Sequence, residues 1–179
     1  GSQALGSETG RAYVFLGSSP LVGANAADAD AIYSGQQSNA DFGRDVTSAD
    51  LNGDGFADVC VGAPHNSFGA NKNGRCYTWL GAVELTDGLA HFADVIFTGE
   101  MLNGERFSYS LEVIDVDGDE LCDVMSGAVG NDAGGASSGR VYLFESEQNI
   151  GDAMAADDDL TLTGDADDAF FGSTISRGQ

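Results

Sequence analysis

Basic residues are scarce in this chain: its 179 residues hold seven Lys and Arg against 29 Asp and Glu, a formal net charge of −22 at pH 7. That balance excludes nucleic acid and anionic membranes as partners, because their recognition begins with a basic surface. Proline is rare too, with two residues, and the three cysteines show no Cys-x-x-Cys or other zinc spacing. Cys60, Cys76 and Cys122 have apolar neighbours and read as reduced core residues, with a Cys60 to Cys76 cross-strand bridge as the alternative. No apolar run reaches eighteen residues, so no membrane insertion is expected. Helical periodicity over ten or more residues is missing as well; the stretch from Ile150 to Leu160 is rich in Asp and reads as a loop. Hydrophobic residues nevertheless make up 42% of the chain, a folded composition and not that of a disordered acidic tail.

What the chain has in abundance is aspartate, 21 against 8 glutamates, and glycine, 26 residues. Asp and Gly favour tight turns, whereas Glu favours helix. These turns recur with a period. Gly10-Arg11-Ala12-Tyr13-Val14-Phe15 returns as Gly74-Arg75-Cys76-Tyr77-Thr78-Trp79 and as Gly139-Arg140-Val141-Tyr142-Leu143-Phe144. Phe42-Gly43 returns as Phe107-Ser108 and Phe171-Gly172, and the acidic run from Asp50 returns from Asp115, so three landmarks agree on a repeat of 64 or 65 residues. Within one period, Val46 to Leu51, Ala57 to Gly62, Arg75 to Leu80 and Phe92 to Thr98 are short, rich in β-branched and aromatic residues, and separated by Gly, Asn and Asp. The prediction is an all-β fold of β-propeller-type blades, each of four antiparallel strands. By the period, residues 1–37 are the outer half of a blade, 38–102 and 103–166 are full blades, and 167–179 are the first strand of the next. A ring needs about four to eight blades. The chain is therefore expected to be part of a longer propeller or to form a homo-oligomer whose copies complete one another's partial blades.

Each acidic run has the spacing of an oxygen cage. The first is Asp50-Leu51-Asn52-Gly53-Asp54-Gly55-Phe56-Ala57-Asp58 and the second Asp115-Val116-Asp117-Gly118-Asp119-Glu120-Leu121-Cys122-Asp123. Oxygen-bearing side chains stand at positions 1, 3, 5 and 9, so a tight loop turns them onto one hard cation. Position 7, Phe56 or Leu121, is apolar, as suits a residue that offers its backbone carbonyl and sends its side chain to the core. Position 12 is Val61 or Ser126 instead of the bidentate Glu of an EF-hand, and strands flank the loops. The predicted ligands are Asp50, Asn52, Asp54, Phe56 and Asp58 in one site and Asp115, Asp117, Asp119, Leu121 and Asp123 in the other, with Ca²⁺ as the ion at both. Calcium suits a flexible loop of many carboxylates, whereas magnesium prefers to keep its own water. Glu120 stands where the first loop has Gly55, at a position where a side chain strains a turn.

Phe42-Gly43, the loop 50–58 and Gly62-Ala63-Pro64 together resemble the FG-GAP repeat, the blade unit of the integrin α-subunit β-propeller and of many secreted bacterial proteins. The second unit is a looser copy, with Phe107-Ser108, the loop 115–123 and Gly127-Ala128-Val129. The resemblance implies calcium loops on one face of the ring and ligand recognition by loops on the other. The function it implies is that of a non-catalytic, calcium-binding propeller segment of an extracellular or cell-surface protein, in adhesion or recognition of a protein or carbohydrate. The alternative is an accessory or catalytic propeller of a secreted polysaccharide-degrading enzyme. Catalytic signals are thin. Gly135-Ala136-Ser137-Ser138-Gly139 matches a nucleophile elbow in letters, but a strand and not a helix is expected after it. His65 and His91 read as surface polar residues, and the runs Asp157-Asp158-Asp159 and Asp165, Asp167, Asp168 as solvated loops. Arg11, Arg75 and Arg140 recur in one register, which suggests salt links to neighbouring acids; Phe15, Trp79 and Phe144 recur beside them and suggest blade-to-blade packing.

Overall fold

A computed structural model describes residues 9–17, 25–147 and 150–177. It is all-β, with propeller-type blades. The strands are β1 (Arg11–Val14), β2 (Ala31–Ser34), β3 (Val46–Ala49), β4 (Asp58–Ala63), β5 (Arg75–Trp79), β6 (Gly88–Leu89), β7 (Val95–Thr98), β8 (Ser110–Ile114), β9 (Asp123–Ala128), β10 (Arg140–Phe144), β11 (Ala153–Met154) and β12 (Leu160–Thr163). Three sheets form, in the orders β1-β2-β6, β11-β7-β5-β4-β3 and β12-β10-β9-β8. The long strands pair antiparallel, as the alternation predicts. Two additions were not visible in the pattern: β6 and β11 are two-residue strands that pair parallel with the outer strand of the preceding sheet, β2 and β7 respectively. Among the described residues no helix is long and apolar enough to cross a membrane.

Alternation along the central strands divides the interior into two layers. Val59, Val61, Ala63, Tyr77 and Trp79 of β4 and β5 pack against Ala12, Ala31, Tyr33 and Phe42 on the side of the first sheet. Cys60 and Cys76, one residue out of step, pack on the other side with Phe107, Val124, Tyr142 and Phe144 of the third unit. A central blade is thus buried on both faces, and all six residues of β4 are buried. Trp79 stacks on Tyr33 with ring centroids 4.1 Å apart, and Phe144 meets Phe97 at 4.9 Å. These two residues are the predicted blade-to-blade contacts; Phe15 is half-buried. Each buried aromatic contributes roughly 1.5–3 kcal/mol. All three cysteines are free thiols, and Thr78 Oγ1 donates to Cys60 Sγ at 3.3 Å.

The landmark glycines and phenylalanines are two sides of one contact. A Cβ on Gly74 would lie 2.2 Å from the carbonyl oxygen of Phe107, and one on Gly10 or Gly139 would meet Phe42 or Phe171 as closely. All three glycines also have positive φ, of 73° to 85°, so both space and backbone demand glycine. Phe42 and Phe107 are buried by this contact.

Many of the aspartates act as backbone acceptors. Asp30, Asp94 and Asp159 accept the amides of Leu16, Leu80 and Glu145, closing the turn before each outer strand. Asp87 and Asp152 accept Ile32 N and Ile96 N on the outer strand of the preceding sheet, just ahead of β6 and β11. The runs 157–159 and 165–168 are therefore not simply solvated: Asp157, Asp158 and Asp167 accept from Met154 N, Thr161 Oγ1 and Ala136 N. Two expected strands differ from those observed. Phe92, expected to start a strand, instead ends a 3₁₀ turn (Ala90–Phe92) and is exposed, and the strand begins at Val95. Residues 167–177 form no strand, only a bridge from Phe171 to Gly139.

Candidate metal centre

Both acidic loops sit between the first two strands of a unit, β3–β4 and β8–β9, at the same end of their sheets. Their first Asp organises the turn: Asp50 Oδ1 accepts Gly53 N at 2.7 Å and Oδ2 accepts Gly55 N at 2.8 Å. Asp115 does the same to Gly118 N at 2.6 Å and Glu120 N at 3.2 Å. Position 3 accepts the amide of position 5, from Asn52 to Asp54 and from Asp117 to Asp119, both at 3.0 Å. Position 5 accepts the amide of position 7, Phe56 and Leu121, both at 2.8 Å. Position 9 is buried and closes the loop. Asp58 accepts Leu51 N and Gly81 N, and Asp123 accepts Val116 N and Ser146 N. Every bond of one loop in this set has its counterpart in the other. Successive side chains at odd positions accepting amides two residues on is how a short loop turns its carboxylates to one point.

In the second loop Asp115, Asp117 and Asp123 each offer an oxygen, and these oxygens lie within 4.8 Å of one another. An all-oxygen carboxylate set of this kind suits a hard divalent cation. Burial holds the Asp58 carboxyl above its usual range, opposed by its two backbone hydrogen bonds and reinforced by Asp54 and Asp50. Carboxylates gathered this closely repel unless a cation joins them.

Of the predicted ligands the structure gathers Asp115, Asp117 and Asp123; Asp119 is outside that group, and among the described residues the first loop's carboxylates form no such group. It also corrects one detail of both loops. Phe56 does not enter the core: it is 41% exposed. Leu121 is half-buried against the other loop, where a Cβ on Gly53 would meet its Cδ2 at 2.9 Å. The residue that fills the core from the first loop is Leu51, at position 2. Cys122 N also donates to the Asp50 carbonyl at 3.2 Å, so the loops touch through backbone as well. Glu120 has φ +76°, the left-handed conformation that Gly55 adopts at +88°.

The other candidates fall into structural roles. Ser138 Oγ in the Gly135–Gly139 loop accepts Gly134 N and donates to the Asn131 carbonyl, and strand β10 follows it. Of the three recurring arginines, only Arg140 makes an ion pair among the described residues, with Glu100 at 2.8 Å. Arg75 instead lies over the Phe68 ring. Neither histidine is free on the surface, since His65 Nδ1 is 2.9 Å from Asp41 Oδ2 and His91 meets Gln36 Oε1. One polar group had no signal in the sequence. Glu105 is fully buried, accepts from Tyr142 OH at 2.6 Å and from Asn131 Nδ2, and leaves Oε2 without a partner. Burial pushes its pKa up to about 7, aided by Glu100 and opposed by the Tyr142 and Asn131 hydrogen bonds and by Arg140. Comparison with position 40 could have flagged it, because the preceding unit has Ala40 there.

Sheets of three, five and four strands packed face to face, the latter two each carrying an Asp-laced loop between the first two strands of its unit, define a β-propeller-type repeat protein. Residues 42–79 match the family model of the FG-GAP repeat. The chain is 31% identical over 175 residues to integrin alpha-PS5 of Drosophila melanogaster, covering 95% of this chain and 16% of that protein. It is 30% identical over 152 residues to human integrin alpha-X, and 28% identical over 127 residues to a phosphatidylinositol-glycan-specific phospholipase D of Dictyostelium discoideum. Those matches cover 81% and 64% of this chain but only 12% and 13% of the relatives. It is an integrin-like FG-GAP repeat protein, spanning less than a fifth of the length of these relatives.

Proposed function

We propose that this chain is a calcium-binding segment of a propeller that acts outside the cell or at its surface, in non-catalytic adhesion or ligand recognition. The observation that carries this reading is the pair of loops with matching hydrogen bonds, together with the oxygens of Asp115, Asp117 and Asp123 that lie within 4.8 Å of one another in the second. Asp50, Asn52, Asp54, Asp58 and the Phe56 carbonyl would hold one ion, and Asp115, Asp117, Asp119, Asp123 and the Leu121 carbonyl the other. A bound ion offsets the repulsion among these carboxylates and ties the first two strands of each unit together. Residues 38–102 and 103–166 are read as full blades, with the ring closed by further blades of a longer chain or by other copies. The similarity to integrin alpha subunits supports the surface setting and a protein or carbohydrate ligand. Similarity to a phospholipase D supports a second reading, a propeller that accompanies a secreted enzyme's catalytic domain. Calorimetric titration of the metal-free chain with calcium tests the first reading. Two sites lost one at a time in Asp50→Ala and Asp115→Ala are expected; no heat and no metal in elemental analysis would overturn it.

A further inference from the structure

Residues 103–107 clasp one sheet to the next. Ahead of β8, this segment donates to the turn before β5 of the neighbouring sheet, from Gly104 N to Asn71 O at 2.7 Å, Arg106 N to Lys72 O at 3.0 Å and Phe107 N to Asn73 O at 3.0 Å. On its own side it is held by Gly130 N, just after β9, which donates to Glu105 O at 2.9 Å. The clasp recurs one repeat on, where Asp168 N, Phe170 N and Phe171 N donate to Ala136 O, Ser137 O and Ser138 O. An asparagine and tyrosine pair is repeated too: Asn66 Nδ2 donates to Tyr77 OH and Asn131 Nδ2 to Tyr142 OH, both at 3.1 Å.

One side chain departs from this pattern. Positions 40 and 169 are alanine, whereas position 105 is glutamate. The backbone does not require the acid, since His65 N donates to Ala40 O as Gly130 N does to Glu105 O. Glu105 therefore adds an ionisable group to a clasp that forms without one. Its side chain is fully buried and bridges the seam. Oε1 accepts from Tyr142 OH at 2.6 Å and from Asn131 Nδ2 at 3.4 Å, on the third sheet's side. Oε2 has no hydrogen-bond partner among the described residues and points to the second sheet's side, 2.9 Å from where a Cβ on Gly99 would lie.

Nothing around the carboxyl is free to balance a charge on it. Tyr142 and Arg140 act on it from β10, Asn131 from the turn after β9, and Glu100 from the turn after β7. Arg140, the cation of this group, is already paired with Glu100 at 2.8 Å. Lys72 and Arg106 act on His65 instead. An unpaired charge in a protein interior is costly, and water reaches this one only if the segment moves.

We propose that Glu105 is a proton-controlled pin in the clasp: while its carboxyl is neutral residues 103–107 stay closed on the second sheet, and when it ionises the carboxylate draws them outward to water and loosens the seam between the second and third sheets. The seam between the first and second sheets, with Ala40 at the same place, has no such control.

Amide hydrogen exchange read by NMR on the calcium-treated chain at pH 5.5 and pH 8, corrected for intrinsic rates, tests this. A carboxyl that titrates at about 7 when closed and about 4.5 when open favours opening by roughly thirtyfold between these conditions. The opening constants of Gly104, Arg106, Phe107 and Gly130 are accordingly expected to rise at least tenfold. Asp168, Phe170 and Phe171 make the same bonds around Ala169 and are expected to change less than about threefold. Glu105→Gln is expected to bring the clasp amides down to that level. Glu105→Ala, the residue already present at positions 40 and 169, repeats the test if the glutamine variant does not fold. No rise at the clasp, an equal rise at residues 168–171, or a rise that survives either substitution would overturn the proposal. So would clasp amides that exchange no faster at pH 8 than those of Val141 to Leu143, because the opening would then not be local.

Discussion

The two acidic loops share most of their hydrogen bonds, the first adding Asn52 Nδ2 to Asp54 and Asp54 N to Asp50, and differ in what surrounds them. In the first, Leu51 is fully buried between the second and third sheets; in the second, its counterpart Val116 is 46% exposed. The first has Asn52 and Gly55 where the second has Asp117 and Glu120. Packing therefore holds the first loop in shape from within. The second combines more negative charge with a side chain in a left-handed turn, and has less apolar contact to offset either. The contrast teaches that one backbone design can be supported by the core in one copy and given less of that support in the next.

Chelation should expose this contrast most strongly. A site filled at a hundred times its dissociation constant adds about 2.7 kcal/mol, so two sites add about 5 kcal/mol. Scanning calorimetry in excess chelator is expected to show the melting temperature falling by about 10 °C or more. Hydrogen exchange is expected to show 115–123 losing more protection than 50–58. Equal loss at both loops would break the contrast, and an unchanged melt would remove its premise.

The second test compares Glu105 with Ala40. Folding raises the Glu105 pKa from 4.5 to about 7, so the folded state takes up a proton that the unfolded state releases. Its contribution is fully present below about 4.5 and is lost as pH rises through about 7, by about 3 kcal/mol in all. Urea unfolding at pH 5 and pH 8 measures this, and Glu105→Gln is expected to flatten the difference. A third comparison is made in chelator, to leave metal out of it. Asp58→Ala strands the amides of Leu51 and Gly81, and Asp123→Ala those of Val116 and Ser146, one buried and one part-buried in each case. Urea unfolding is expected to show similar losses, about 2 kcal/mol or more each. The smallest effect should come from exchanging position 6: Glu120→Gly stabilises by about 1 kcal/mol and Gly55→Glu destabilises by a similar amount. Equal and zero effects would mean that the left-handed turn carries no strain.

Repeat, strand class and acidic loops were legible because each rests on identities repeated at a fixed spacing. Gly74 and Phe107 could be paired in sequence by their shared period, although the reason, a carbonyl packed where a Cβ would lie, appears only in three dimensions. The strands β6 and β11 were not legible, since two residues carry no alternation. Phe56 misled because an apolar side chain between two acids looks like a core residue, whereas Leu51 already fills that space. Arg75 misled in another way: charge suggested an acid as its partner, and an aromatic face took that place. Glu105 stayed hidden because a single acid among 29 has no pattern to betray it.

The parallel pairs of β6 with β2 and of β11 with β7 mean that sheet borders and repeat borders do not coincide. Each unit lends two residues to its predecessor and anchors them with Asp87 or Asp152. No unit can then come undone without loosening the outer edge of the one before it. Under tension or heat the array behaves like shingles whose nails pass through the course beneath, releasing in linked steps where independent modules would detach one by one.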